Sequence, residues 1–401
     1  MASDRGAPRR RAARRLSAGL VAGLLALALS GCQRGPTITG DFEGPRGPGP
    51  GNQSILAFQQ IFAGETHSCA LVNSGKALCW GSAGDLGDTS MEDQDTPVRV
   101  EGPQTFGHLD ASAFTCGTTT NQQAWCWGVN TKGRLGDGTT EYRPFPTEVA
   151  TASRLRQITT GTQHACGITT DDRLLCWGTN IDGQLGAHPD TMSVLPVELA
   201  PMTRFRSVDA GGLRTCAVED GGATVCWGDG LGLGQTEIQG GIAFEHLTVG
   251  GQHVCGLDAE GRAWCFGTNL EGQLGDGSFD STPITGPPVP VLTEERFVGI
   301  SAGESHTCAI TEEGAGWCWG SDSLGQLGDG GSGSTPFGGD PTRNNLPTLV
   351  ITENSFIDFT TITAGRWTSC ATTANGRGFC WGRGTGSGSI PDSTVPVEIG
   401  F

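Results

Sequence analysis

Apolar and polar residues alternate in short runs along this chain, and the runs return in the same order seven times. The clearest stretch is Cys69 to Gly81, where Cys-Ala-Leu-Val and Lys-Ala-Leu-Cys-Trp flank Asn73-Ser74-Gly75. A period of two over four or five residues on either side of a short polar break predicts a β-hairpin. The three-residue break, with Gly last, suits a type I turn closed by a left-handed residue in a bulge. Further copies begin at Cys116, Cys166, Cys216, Cys255, Cys308 and Cys370. Gly222, Gly261, Gly314 and Gly376 hold the turn position in four of them, whereas Gln122 and Asp172 replace it, so those two turns are expected to differ.

Ahead of each hairpin lies a run such as Phe205-Arg-Ser-Val208-Asp-Ala-Gly211 or Phe359-Thr-Thr-Ile362-Thr-Ala-Gly365. Behind it comes a glycine loop, as in Gly133-Arg-Leu-Gly136-Asp-Gly138, and then an extended run such as Leu195-Pro196-Val197. Two flanking runs plus the hairpin make four strands per unit of roughly fifty residues, a period that marks propellers and solenoids. The chain is therefore expected to be all-β: a seven-bladed β-propeller of four-stranded antiparallel blades spanning 55–401. Two copies depart from the rule. After Cys216, Gly228-Asp-Gly-Leu-Gly232 replaces the full glycine loop and no Pro-Val run follows; after Cys308, Gly331 to Asn345 is inserted.

In every copy the second cysteine follows the first by ten residues. Counted out from the turn, the two face each other in the closer pair type, with Cα atoms about 4.5 Å apart, within disulfide reach. Zinc ligands come at spacings of two to four, and no such pair occurs. The expected bridges, one within each hairpin, are Cys69-Cys79, Cys116-Cys126, Cys166-Cys176, Cys216-Cys226, Cys255-Cys265, Cys308-Cys318 and Cys370-Cys380. The aromatic residue after each second cysteine points to the opposite face and is expected to pack between neighbouring sheets.

Regular pairing on this scale implies an oxidising compartment. One of the 15 cysteines, Cys32, is left over. It follows Arg9-Arg10-Arg11, Arg14-Arg15 and the apolar run Leu16–Leu29, which at fourteen residues is short for a membrane span. Leu29-Ser30-Gly31-Cys32 resembles a bacterial lipobox. The resemblance implies that residues 1–31 are a signal peptide and that Cys32 becomes the acylated N-terminus. Residues 32–54, Pro- and Gly-rich from Gly35 to Asn52, would be a tether. Gln33 stands where an Asp would resemble an inner-membrane retention signal, so the outer membrane of a bacterial envelope is the expected address. Formal net charge is −17 for the whole chain, and loss of the +5 carried by residues 1–31 leaves −22. Nucleic acid is excluded as a partner on that ground.

Gly303-Glu-Ser-His306-Thr-Cys308 through Trp319-Gly320 and Gly325-Gln-Leu-Gly328-Asp-Gly330 resemble the repeat of the regulator of chromosome condensation family. The resemblance covers 55–401 and implies the same propeller, with strands from the two chain ends sharing one blade to close the ring. The family's nuclear nucleotide-exchange role is opposed by the export signal, the cysteine pairs and the acidity. The Gly-Trp-Arg-His-Thr signature of plant photoreceptor relatives is also missing; Gly365-Arg-Trp-Thr-Ser369 is the nearest string.

Nothing local announces catalysis. Gly299-Ile-Ser301-Ala-Gly303 matches a nucleophile elbow but lies in a strand with no helix after it. His67, His164, His253 and His306 recur at one repeat position and read as structural, and His108, His188 and His246 are scattered. The loop acids Asp88, Asp137, Asp276 and Asp329 lack the alternating calcium-ligand pattern. No catalytic residue, metal or cofactor is therefore expected. The expected function is a monomeric, tethered platform whose loop face binds an envelope or extracellular protein or glycan. Phe337, Asp340, Arg343 and Asn344 of the insertion are the candidate contacts. The rival reading is an exported enzyme acting on polysaccharide, which requires acids outside the repeat pattern to converge on the central channel.

Overall fold

A computed structural model describes residues 57–331, 342–351, 357–384 and 392–400. Ser54–Phe401 form one compact unit. The expected signal peptide, Cys32, the 32–54 tether, Phe337 and Asp340 lie outside the described residues. The strands pair into seven four-stranded antiparallel sheets, each continuous in sequence: 58–99, 106–148, 155–199, 205–237, 246–290, 297–349 and 359–398. In blade 1 the order from the ring axis outward is Phe58–Ala63, His67–Val72, Ala77–Gly81 and Gln94–Arg99.

The hairpin at the heart of each blade forms as its residues dictate. Gly75 takes φ +73°, its N–H donates to the Val72 carbonyl at 2.8 Å, and the Val72 N–H donates to Lys76 at 3.0 Å. The two turns without glycine do not differ. Gln122 and Asp172 take φ +66° and +64°, with the same pair of bonds from Gln122 to Thr119 and from Asp172 to Thr169. A left-handed side chain costs roughly 1–2 kcal/mol. The ladder on both sides of the turn and a buried cystine outweigh it. All seven expected disulfides are present, with Cα separations of 4.0–4.1 Å as the closer pair type requires.

The apolar core lies between blades. Cys166, Cys176 and Leu185 of blade 3 pack with Phe205, Val208 and Trp227 of blade 4. Trp80, Trp127, Trp177, Trp227, Phe266, Trp319 and Trp381, the aromatics following the second cysteines, are all buried. Trp177, Trp227, Trp319 and Trp381 donate their indole N–H to Arg134, Gln184, Gln273 and Gln326 carbonyls in the glycine loop of the preceding blade, at 2.6–2.9 Å. Each indole thus seals one blade onto the next.

Ring closure corrects the expectation from resemblance. No blade is shared between the chain ends: 58–99 and 359–398 are separate, complete sheets. The first described strand is an inner one and the last an outer one, so the described strands divide into fours without remainder. Closure comes from packing of blade 7 on blade 1, where Phe58 N–H donates to Gly376 O at 2.9 Å and Arg366 N–H to Gly64 O at 3.1 Å. Blade 4 keeps its fourth strand, Gly232–Glu237, although its Pro-Val run is missing.

Candidate functional site: the central channel and the blade edges

The inner strands end at the ring axis, where they surround a cavity of about 130 Å³. Its wall is ordered by one register position, the residue opposite each first cysteine. Side-chain oxygens there accept a main-chain N–H from the following blade. Asp110 accepts from Thr160 at 2.6 Å, Thr159 from Ala210 at 3.1 Å and Asp209 from Val249 at 2.6 Å. Thr248 accepts from Ala302 and Ser301 from Ala364, both at 3.0 Å. Beyond this girdle a second set of main-chain bonds joins the turns after the inner strands, including Thr162 to Gly212, Gly251 to Gly303 and Glu304 to Gly365. The glycines of the repeat Ala-Gly step are needed for this approach: a Cβ on Gly64 would stand 2.7 Å from the Ser112 carbonyl oxygen.

Four acids outside the repeat pattern do face the channel: Glu65, Asp110, Asp209 and Glu304. Burial, reinforced by the charge of Asp110, pushes the Asp209 carboxyl up to about 7. Burial also raises Asp110, opposed by neighbouring His108 and by its hydrogen bonds to Thr160. Glu304 is raised by burial and by Glu65, with Arg366 acting the other way. Glu65 accepts hydroxyl hydrogen bonds from Ser112 and Thr162 at 3.2 and 2.5 Å. Asp110 and Asp209 therefore serve as acceptors that fasten the ring. The cavity is also smaller than the roughly 300 Å³ at which ligand pockets begin.

The recurrent histidines form a second inter-blade system. His67, His164, His253 and His306 place Nε2 at 2.5–2.9 Å from the hydroxyls of Thr115, Thr215, Thr307 and Ser369, each in the next blade. In the last three, that hydroxyl donates in turn to the Gln184, Gln273 or Gln326 carbonyl, the same oxygen that receives the indole N–H. The imidazole must then be the donor, and the neutral ring with its proton on Nε2 satisfies the arrangement. Burial pulls His67 and His164 down to about 4, and His253 and His306 to about 3. These rings are structural, as their repeat position implies. Among the described residues no group of three or more His, Cys, Asp and Glu side chains is placed to hold a metal ion.

Two models of the regulator of chromosome condensation (RCC1) repeat match the chain, one at 121–168, 260–310 and 313–372, the other at 58–85, 155–184, 244–273 and 297–326, together more than half of it. The chain belongs to the RCC1 repeat family. Among curated relatives, the ultraviolet-B receptor UVR8 of Arabidopsis thaliana is 28% identical over 372 residues, covering 84% of this chain and 81% of that protein. The regulator of chromosome condensation of Mus musculus is 41% identical over 83 residues, 20% of this chain and only 19% of the relative. Human WBSCR16 shares the fold with a TM-score of 0.68 at 17% identity, over 78% of this chain and 85% of that one. The yeast RCC1 chain (Prp20) in its complex with Kap60 aligns with a TM-score of 0.51 at 20% identity, over 85% of this chain and 74% of that one.

On this RCC1 propeller the described members of the candidate binding loop are not in a loop. Arg343 and Asn344 open the outer strand of blade 6, Arg343–Leu349, opposite Ser321 and Gly320. Arg343 stacks 4.5 Å above the Phe279 ring and donates to the Leu270 carbonyl at 2.6 Å, while Asn344 donates to Thr348. The Arg343 side chain thereby joins blade 6 to the loop of blade 5, whereas the Asn344 bond stays within its own strand. No local pattern announces this, because the outer strand is paired in register with its own hairpin yet packs on the preceding blade's loop.

Proposed function

We propose that this RCC1 propeller is a non-catalytic interaction platform, held at a bacterial outer membrane by an acylated Cys32, and that it binds an envelope or extracellular protein. The RCC1 relationship supports the platform class. The observation that carries the reading is the engagement of Asp110 and Asp209: the channel carboxyls best placed for acid–base chemistry are bonded to main-chain N–H groups of the next blade. Both carboxyls hold a blade junction together, and the channel they face encloses only about 130 Å³, below the size of ordinary ligand pockets. The lipobox-like Leu29-Ser30-Gly31-Cys32, the leftover cysteine and the Pro/Gly-rich tether support the address.

Affinity capture from envelope extract with the full, disulfide-bonded chain tests the platform. A saturable protein partner supports it, and turnover of envelope polysaccharide that is lost in Asp209→Asn would replace it with the enzyme reading. Fractionation tests the anchor: Cys32→Ser should move the protein from the membrane to the soluble fraction. Retention of the variant in the membrane refutes lipidation at that residue.

A further inference from the structure

The outer strands of six blades carry a guard that blade 4 lacks. In every blade one outer-strand residue pairs with the second cysteine: Val98, Thr147, Val197, Thr236, Val289, Thr348 and Val397. The residue just before it is Pro97, Pro146, Pro196, Pro288, Pro347 or Pro396 in six blades, and Gln235 in blade 4. Strand alternation turns the main chain of this position away from the sheet, toward the open edge. A proline there offers no N–H, and edge prolines are one way in which sheets refuse an additional strand. Gln235 restores the donor at that edge.

The same strand also leaves a notch. At three other junctions the residue before the guard proline closes over the glycine loop of the preceding blade. Leu195, Leu346 and Val395 lie against Gly138, Gly277 and Gly330, and those glycines donate to Val194, Asn345 and Thr394 at 2.9–3.0 Å. In blade 4 the corresponding residue is Gly234, and a Cβ built there meets no atom within 4 Å. The blade 3 loop beneath is opened as well. In blades 1, 2, 5 and 6 the loop is tied to the end of its own outer strand by Glu101 to Gly87, Ala150 to Gly136, Leu292 to Gly275 and Ile351 to Gly328, at 2.8–2.9 Å. In blade 3 no such bond joins Ala200 to Gly186, and Ala200 takes φ +45°. The result is a groove of about 400 Å³ between Gly186–Pro189, Glu198–Ala200 and Gln235. Ile181 in the same loop is 60% exposed and Met202, two residues past Ala200, is 96% exposed.

We propose that the blade 4 edge receives an extended strand from a partner protein, one apolar side chain of which enters the groove beside Gly234. Strand addition of this kind takes its affinity from main-chain hydrogen bonds and its selectivity from pockets for alternate side chains. The molecule supplies its own template for the apolar contact in Leu195, Leu346 and Val395. The acidity of the chain favours a strand flanked by Lys or Arg. This assignment rests on the platform reading and specifies where that platform binds.

The test uses the full, disulfide-bonded chain and a labelled probe peptide, Lys-Thr-Val-Leu-Val-Thr-Lys, followed by fluorescence anisotropy. Saturable binding is expected, weakened at least tenfold by Gln235→Pro, by Gly234→Leu and by Asp in place of the probe's Leu. Amide exchange across residues 232–238 should slow on binding. Gln235→Pro installs what six blades already tolerate, so its thermal midpoint should match the parent. Absence of saturable binding, or binding untouched by both variants, overturns the assignment. So does concentration-dependent dimerisation abolished by Gln235→Pro, because the occupant is then a second copy. Repeating the envelope capture with Gln235→Pro separates the two readings. A partner retained by this variant leaves the platform standing and removes the blade 4 edge; probe binding with no captured partner does the reverse.

Discussion

His164 of blade 3 donates through Nε2 to Thr215 Oγ1 of blade 4 at 2.8 Å, and the Thr215 hydroxyl donates in turn to the Gln184 carbonyl of blade 3. The same pairing recurs at four of the seven blade junctions. A histidine two residues before the first cysteine of one blade meets Thr or Ser one residue before the first cysteine of the next. Where blade 2 has Phe114 instead, blade 3 presents Ala165, and the two share a buried apolar cluster. The chain thus holds an apolar as well as a hydrogen-bonded solution for the same contact.

Thr215→Val should destabilise the fold by roughly 1–3 kcal/mol, because a buried imidazole N–H loses its acceptor. The double variant His164→Phe/Thr215→Ala, which copies the Phe114–Ala165 contact, should recover most of that loss. Denaturant unfolding of the four corners of this cycle measures the coupling. Additive single effects would remove the coupling.

The same pair sets a pH response. His164 is held at about 4 in the fold, below its ordinary value of 6.5. Its neutral form is therefore favoured by folding, and the stability it contributes is complete above 6.5 and falls as pH drops toward 4, by about 1.4 kcal/mol per pH unit. The His164→Phe/Thr215→Ala variant should lose less stability than the parent between those limits. Parallel curves would show that His164 does not titrate with unfolding.

Asp209 should act in the opposite sense. Its carboxyl is raised from 3.8 to about 7, so the protonated form is favoured by folding and the benefit is lost as pH rises through that interval. Asp209→Asn keeps an oxygen acceptor for the Val249 N–H. Relative to the parent, the variant should gain stability steadily from pH 4 to pH 7 and level off above. Thermal unfolding across pH checks both slope and sign.

Gln122→Gly should stabilise the protein by roughly 1 kcal/mol, since a left-handed residue with a Cβ is replaced by one without that penalty. Gly365→Ala should do the reverse more strongly. Its Cβ would stand 2.5 Å from the Gly64 carbonyl oxygen at the blade 7–blade 1 contact, where only backbone can give way. Equal unfolding midpoints for either variant and the parent would contradict these readings.

Replacing both Cys166 and Cys176 by Ala should cost about 2.5–3 kcal/mol, the chain-entropy value for so short a loop. Both sulfurs are fully buried, so the native parent should resist reductant until it unfolds. A melting curve with and without dithiothreitol tests this directly.

The blade is legible in the order of residues alone. Alternation, turn glycines and cysteines ten residues apart are all local, and local geometry suffices to place Cys69 against Cys79 and to turn Trp177 to the face opposite Cys176. Seven near-identical units then leave little freedom for the architecture. What lies between units emerges with the folded ring. The use of Asp110 and Asp209 as ring fasteners, the engagement of Arg343 by the blade 5 loop, the closure without a shared blade and the groove at Gly234 all depend on contacts across roughly fifty residues or around the whole ring. A repeat announces its own period in sequence, but a contact between repeats is made by residues that are neighbours only after the ring has closed.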